Sequence, residues 1–195
     1  MARTKEYNIE HALSSATELF LRKGYGATSL SELVKTTGLN RYSMYSEFKD
    51  KEGLFLACVK HYMLEKRNLR TVEILTQEPL GIRNVEEFLQ DRIDYALSDN
   101  CYGCLLVNMV FEREAVSQKI NDVIEKVTTG QEQLIFKCIE AAIKKGEISD
   151  NNDSKALTDY FSCFFRGLMS MAKESGRNNT SLKKMGIMAL CAIDK

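Results

Sequence analysis

Ser29-Leu30-Ser31-Glu32-Leu33-Val34-Lys35-Thr36-Thr37-Gly38-Leu39-Asn40-Arg41-Tyr42-Ser43-Met44-Tyr45-Ser46-Glu47-Phe48 is the stretch whose reading decides this chain. Its first four residues form a capping box. The Ser29 hydroxyl accepts one N–H that a new helix leaves unpaired, and Glu32 reaches back to another. Leu30, Leu33 and Val34 then share one face, and Gly38 closes the helix and permits the backbone to reverse where a Cβ would clash. Asn40 caps a second short helix from Arg41 to about Phe48, with Met44 and Phe48 facing inward. Two such helices around a glycine-containing turn make a helix-turn-helix, with Leu39 packed in the angle.

Once Met44 and Phe48 turn inward, Arg41, Tyr42, Ser43, Tyr45 and Ser46 are left outside. A cation, two phenols and two hydroxyls reach base edges and phosphates of double-stranded DNA. Thr28 and Ser29 stand at a helix N-terminus, where backbone N–H groups meet phosphate. Lys51 opens the next helix, also placed for a phosphate, and Arg3 and Lys5 suit a basic arm along the duplex. Glu47 is the discordant residue on this face. Its carboxylate is repelled by phosphate unless it turns away or accepts from a cytosine amino group.

Outward from this unit, apolar residues recur every three to four positions. A first helix spans about Asn8 to Lys23 and ends at Gly24; a fourth starts after Asp50 and is expected to run past residue 70. Further helices are expected near 84–97, 104–113, 117–145, 153–174 and 181–194, with Asp153 or Ser154 and Thr180 or Ser181 as caps. The chain has one proline and 11 glycines in 195 residues, too little turn chemistry for a strand-rich protein. The predicted fold is all-α, about nine helices. A DNA-binding domain occupies residues 1–50, and a helical ligand-binding and dimerising domain occupies 51–195.

Net charge is zero, but residues 1–70 hold 12 Lys/Arg against 8 Asp/Glu (+4), and the rest hold 15 against 19 (−4). That asymmetry fits a nucleic-acid module joined to something else. No stretch has the roughly 20 apolar residues of a membrane span, and no signal-peptide core follows Met1, so a cytoplasmic location is expected. The six cysteines are then expected reduced. Cys101 and Cys104 form a C-x-x-C, read either as a sensor of oxidants and electrophiles or as core residues; the set lacks the further ligands of a zinc site. No catalytic constellation, metal site or cofactor is expected.

Residues 160–169 are nearly all apolar, so that helix must be buried on two sides. Phe161, Phe165, Leu168 and Met169, with Met185, Met188 and Leu190 of the last helix, are the expected homodimer interface. Phe111, Phe136, Tyr160 and Phe164, with Cys101 and Cys104, are candidates for sensing an unknown small-molecule effector.

Phe20, Gly24-Tyr25, Thr28-Ser29-Leu30, Leu33, Gly38-Leu39, Asn40-Arg41, Met44-Tyr45, Phe48 and Lys51-Glu52 together resemble the N-terminal domain of the TetR family of transcriptional regulators, over about residues 7–62. Gly103-Cys104-Leu105-Leu106-Val107-Asn108 resembles a segment of one subset of that family. The resemblance implies a homodimer and a repressor released by a small ligand; a two-fold dimer in turn demands a palindromic operator. It implies phosphate contacts for Tyr45 and Lys51, and base reading by Arg41, Tyr42, Ser43 and Ser46. Val34 stands where alanine is common, and Glu47 where histidine or an aromatic is frequent. Two other readings remain open: a thiol redox protein using Cys101 and Cys104, which needs a βαβ setting, and a helical ligand-binding protein without DNA binding.

Overall fold

A computed structural model describes residues 8–99, 101–173 and 179–191. Among these are ten α-helices and no strand. They are α1 (Ile9–Lys23), α2 (Leu30–Thr37), α3 (Arg41–Phe48), α4 (Lys51–Met63), α5 (Lys66–Thr76), α6 (Ile82–Leu97), α7 (Leu105–Val110), α8 (Gln118–Lys144), α9 (Ser154–Lys173) and α10 (Asn179–Cys191). A 3₁₀ turn, Arg113–Ala115, separates α7 from α8. The all-α expectation holds, and no described helix is long and apolar enough to cross a membrane.

The first four helices start where short polar side chains meet orphan N–H groups. Asn8 Oδ1 accepts from Glu10 and His11, Asn40 Oδ1 from Ser43 at 2.8 Å, and Asp50 Oδ1 from Gly53 at 2.7 Å. The Ser29–Glu32 capping box forms as its spacing requires. Gly38 sits at φ 71°, ψ 0°, the left-handed backbone that glycine adopts without a Cβ penalty. Farther on, Asp153 rather than Ser154 caps α9, accepting from the Lys155 and Ala156 N–H groups. Thr180 and Ser181, the expected caps of the last helix, lie inside it, because Asn179 is already helical.

The fourth helix does not run past residue 70. It stops at Met63, and a new helix starts at Lys66. No glycine or proline marks the break. Leu64 and Glu65 tighten into i→i−3 bonds on the His61 and Tyr62 carbonyls, and the Asn68 side chain donates back to the Tyr62 carbonyl. The expected helix 104–113 is likewise cut to six residues before the 3₁₀ turn.

Phe55 of α4 lies fully buried between Phe20 of α1 and Tyr25, ring centroids 5.0 Å from each. This aromatic knot joins the helix-turn-helix to the rest of the molecule through α4. Beyond it, α5, α6, α8 and α9 pack around Phe88, Leu89, Ile139 and Phe161, with α10 closing over α6 where Gly186 admits the Ile93 side chain.

Candidate nucleic-acid interface and internal cavity

Helix α3 buries Met44, half-buries Phe48 and turns its other face to solvent. Arg41, Tyr42, Tyr45 and Ser46 are exposed, Tyr42 to 83%, while Ser43 is half-buried with its N–H bound to the Asn40 cap. Tyr42 and Tyr45 thus put two phenols on the solvent face of α3. Glu47 is half-buried.

Two expected phosphate contacts change meaning. Thr28 is 1% exposed; its hydroxyl donates to the Gly24 carbonyl at 2.6 Å and its N–H to Tyr25 at 3.3 Å. Both groups thus tie down the turn after α1, and neither faces a duplex. Ser29 is exposed, but its N–H and hydroxyl both engage Glu32. Glu32 is itself ion-paired to Lys23, and Lys23 with Ser29 holds the carboxyl down at about 2. Lys51 is half-buried at the start of α4, its ammonium 4.2 Å from the centroid of the Tyr25 ring. That burial lowers its affinity for the proton, and nearby Glu112 partly offsets the effect. Arg3 and Lys5 lie outside the described residues.

The second feature is a cavity of about 400 Å³ among α4, α5, α6, α8, α9 and the start of α7. Its wall is mainly apolar, with Tyr62, Arg92, Tyr95 and Cys104 among the polar exceptions. Cys104 caps α7, and the Tyr62 hydroxyl donates to its sulfur at 3.6 Å. Cys101 is buried off the cavity. The expected aromatic lining is corrected: Phe111 is 72% exposed, Tyr160 is exposed, and Phe136 and Phe164 are half-buried away from the wall. Periodicity identified these residues as apolar but not which face met the void. A small annex shares Cys104 and Phe165 with the cavity and holds Ser162, whose buried hydroxyl has no partner.

The apolar length of α9 also resolves differently. Phe161, Phe165, Leu168 and Met169 are buried within their own chain, and Phe165 and Met169 line the cavity. Fully buried side chains have no surface left for a second chain, so this part of the expected interface is corrected. Tyr160, Cys163 and Ile187 stay exposed, as does Met188 at 70%; Met185 is half-buried, and the Leu190 side chain lies outside the described residues. Among the described residues no group of His, Cys, Asp or Glu is placed to hold a metal.

Besides α4, whose Tyr62 and Met63 reach the cavity wall, one short segment connects the two features. Before α7, the Tyr102 hydroxyl accepts from Arg22 at 2.6 Å, and the Arg22 guanidinium lies 3.9 Å from its ring centroid. Within α7, Asn108 donates to the Leu21 carbonyl at 3.2 Å. Just after it, Glu112 accepts from the Gly26 N–H at 2.7 Å and the Tyr25 N–H at 3.3 Å. A Cβ added at Gly24 would overlap that carboxylate. Residues 102–112 therefore touch the cavity on one side and the end of α1 on the other. Tyr102, Asn108, Glu112 and Arg92 escape a reading of sequence, although Arg92 leaves a trace: a cation in the α6 stripe of Val85, Phe88, Leu89, Ile93 and Ala96.

Comparison with known proteins assigns these features to a family. Residues 12–58 match the family model for bacterial regulatory proteins of the tetR family, and residues 81–183 match that for the tetracyclin repressor-like C-terminal domain. The chain is 28% identical over 190 residues to the transcriptional repressor ComR of Escherichia coli, covering 94% of this chain and 86% of ComR. It is 25% identical over 173 residues to the repressor BdcR of the same species, covering 88% and 82%. Its fold superposes on a cysteine mutant of the TetR family regulator CifR, solved with a 26-base-pair operator DNA, at a TM-score of 0.84, with 25% identity and 97% and 99% coverage. With both parts of the chain matched and the helix-turn-helix built as its residues require, the protein belongs to the TetR family of DNA-binding transcriptional regulators.

Proposed function

We propose that the protein is a homodimeric repressor that binds a palindromic operator and is released by a small molecule in the internal cavity, by modification of Cys104, or by both. Residues 1–50 serve as the reading head, and residues 51–195 sense and dimerise. The reading rests chiefly on the 102–112 segment, which carries a cavity-wall thiol and three polar contacts to α1 and its following turn within eleven residues. Anything that moves α7 to fit a ligand strains the hold of Asn108 and Glu112 on the reading head. A ligand that binds one arrangement of this segment better than the other shifts the population of heads spaced for B-DNA.

On the DNA side, Arg41, Tyr42, Ser43 and Ser46 read bases while Tyr45 and Lys51 meet phosphate; that the similar CifR was solved with an operator duplex supports DNA as the partner. Two-fold pairing of subunits requires half-sites about one helical turn apart or a little more. Tyr160, Phe164, Ile187 and Met188 offer the remaining apolar surface for that pairing on α9 and α10. As a regulator of operator DNA, it works in the cytoplasm.

The direct test selects duplexes from random DNA with the wild-type protein and measures the affinities of Arg41→Ala and Tyr45→Ala for the winner by mobility shift. If both variants keep wild-type affinity, α3 is not the reading helix. For the thiol arm, the probe is N-ethylmaleimide: Sγ of Cys104 bonds to one alkene carbon, the C=C π bond breaks, and the thiol's proton ends, by way of water, on the neighbouring carbon. Identical release curves for wild type and Cys104→Ser would remove that thiol from the mechanism.

A further inference from the structure

The cavity wall has a definite charge. Its sixteen lining residues include two cations, Arg92 and Lys126, and no carboxylate. Lys126 is exposed at the rim, but Arg92 is only 4% exposed and stands in the apolar face of α6. A guanidinium taken out of water must be compensated, and Asp91 does so from one side only. Asp91 Oδ2 accepts from Nε and Nη2 of Arg92, while its Oδ1 is taken by Arg70 Nε at 3.0 Å. Arg70 also faces Glu87 at 3.8 Å, outside on the exposed surface. Arg92 Nη1 has no protein partner among the described residues. A buried guanidinium on the wall of an apolar void, with Nε and Nη2 on Asp91 and Nη1 left over, is a fork that a carboxylate fits.

We infer that the cavity takes an amphipathic carboxylate, with its apolar body among Val72, Leu134, Phe165 and Met169 and its carboxylate on the open edge of Arg92. The inference rests on the reading of this cavity as the effector site, but it adds the chemical class of the effector. Neutral ligands of the same shape leave Arg92 half-compensated in a low-dielectric wall, so charge and not size discriminates between them. Dianions are not favoured, because Asp91 already neutralises part of the guanidinium.

The test compares octanoate with octanamide, which differ in charge but hardly in shape, on the full-length protein by calorimetry and thermal shift. Octanoate is expected to bind and to raise Tm, with octanamide at least tenfold weaker. Arg92→Gln is expected to lower octanoate affinity tenfold or more while leaving octanamide unchanged, and Arg92→Lys to restore part of the loss. Octanoate should also slow alkylation of Cys104 without slowing that of the exposed Cys163, which locates it in the cavity. Equal affinity for the two compounds, undiminished octanoate binding by Arg92→Gln, or no binding of octanoate overturns the inference. Should Arg92→Gln not fold, the wild-type comparison and the Cys104 protection decide alone. Operator release separates the two ideas. Octanoate that binds on Arg92 without weakening DNA binding supports the ligand class and sinks the effector reading. Release by octanamide but not octanoate does the reverse.

Discussion

Arg41 and Arg92 place the same guanidinium in opposite surroundings. Arg41 opens α3 in full contact with water; Arg92 is sunk in the apolar stripe of α6, held on one edge by Asp91. The first is cheap to keep and long-ranged, because water solvates it until a polyanion arrives. The second is costly to keep and short-ranged, because only a group inside the cavity can reach it. If Arg41 meets DNA and Arg92 a bound carboxylate, as proposed, the two sites should depend differently on salt. Operator binding should weaken steeply with salt as condensed counterions are released, whereas occupancy of the cavity should respond little.

The largest effect would break both regions together. Phe55→Ala empties the centre of the knot between α1, Tyr25 and α4, and is expected to cost about 3–5 kcal/mol in urea unfolding. If the reading head unfolds in a separate transition, the two regions are less coupled than the aromatic knot suggests. Next in size, Arg41→Ala should weaken operator binding by about 1–3 kcal/mol with Tm unchanged. Lys51→Gln should weaken binding to all sequences alike and reduce the salt slope by about one.

Glu112→Gln sharpens the comparison by touching only the link. It leaves one acceptor for the Tyr25 and Gly26 N–H groups and should cost about 1 kcal/mol. The expected phenotype is retained operator binding with a blunted response to Cys104 alkylation. Gly24→Ala should give the same phenotype, since its Cβ enters the space of the Glu112 carboxylate at a φ of 85°. A full response in both variants would move the link elsewhere.

The smallest effects are acid–base. Burial pushes the Cys58 thiol up to about 12 and the Cys138 thiol up to about 11. Both stay protonated in the folded state while the unfolded chain begins to lose these protons near 9. Their contribution is therefore intact below pH 9 and lost as pH rises toward 11–12. Alkylation at pH 8 should accordingly label the exposed Cys163 well before either. At the other extreme, Glu32 supports the start of α2 above its ordinary value near 4.5, and that support fades as pH falls toward 2. Amide shifts of Ser29 and Glu32 through an acid titration would follow it.

The two regions also differ in how far they could be read without a structure. In residues 8–63 the deciding bonds are local: Asn8 to His11, Ser29 to Glu32, Asn40 to Ser43 and Asp50 to Gly53 each span three residues. Helix starts, the turn at Gly38 and the inward face of α3 were legible for that reason. The exception, Thr28, shows the limit: its position at a helix start was visible, but not that its hydroxyl belongs to the Gly24 carbonyl. Farther along, Asn68 ends α4, Asn84 ties the start of α6 to the Ile74 and Gln77 carbonyls, and Glu112 reaches back 86 residues to Gly26. These bonds leave no periodic signature.

What the amino-acid sequence determined by itself is the helical class, the helix-turn-helix and the face of α3 that stays in solvent. Caps, glycine turns and three-to-four spacing act over a single turn of chain. Only the tertiary structure decided that Phe161, Leu168 and Met169 belong to the interior, that Cys104 rather than Phe111 or Tyr160 meets the cavity, and that Arg92 stands half-compensated on its wall. Those outcomes depend on which of several apolar faces a helix buries, and that choice is settled by the shapes of the neighbouring helices and not by the helix alone.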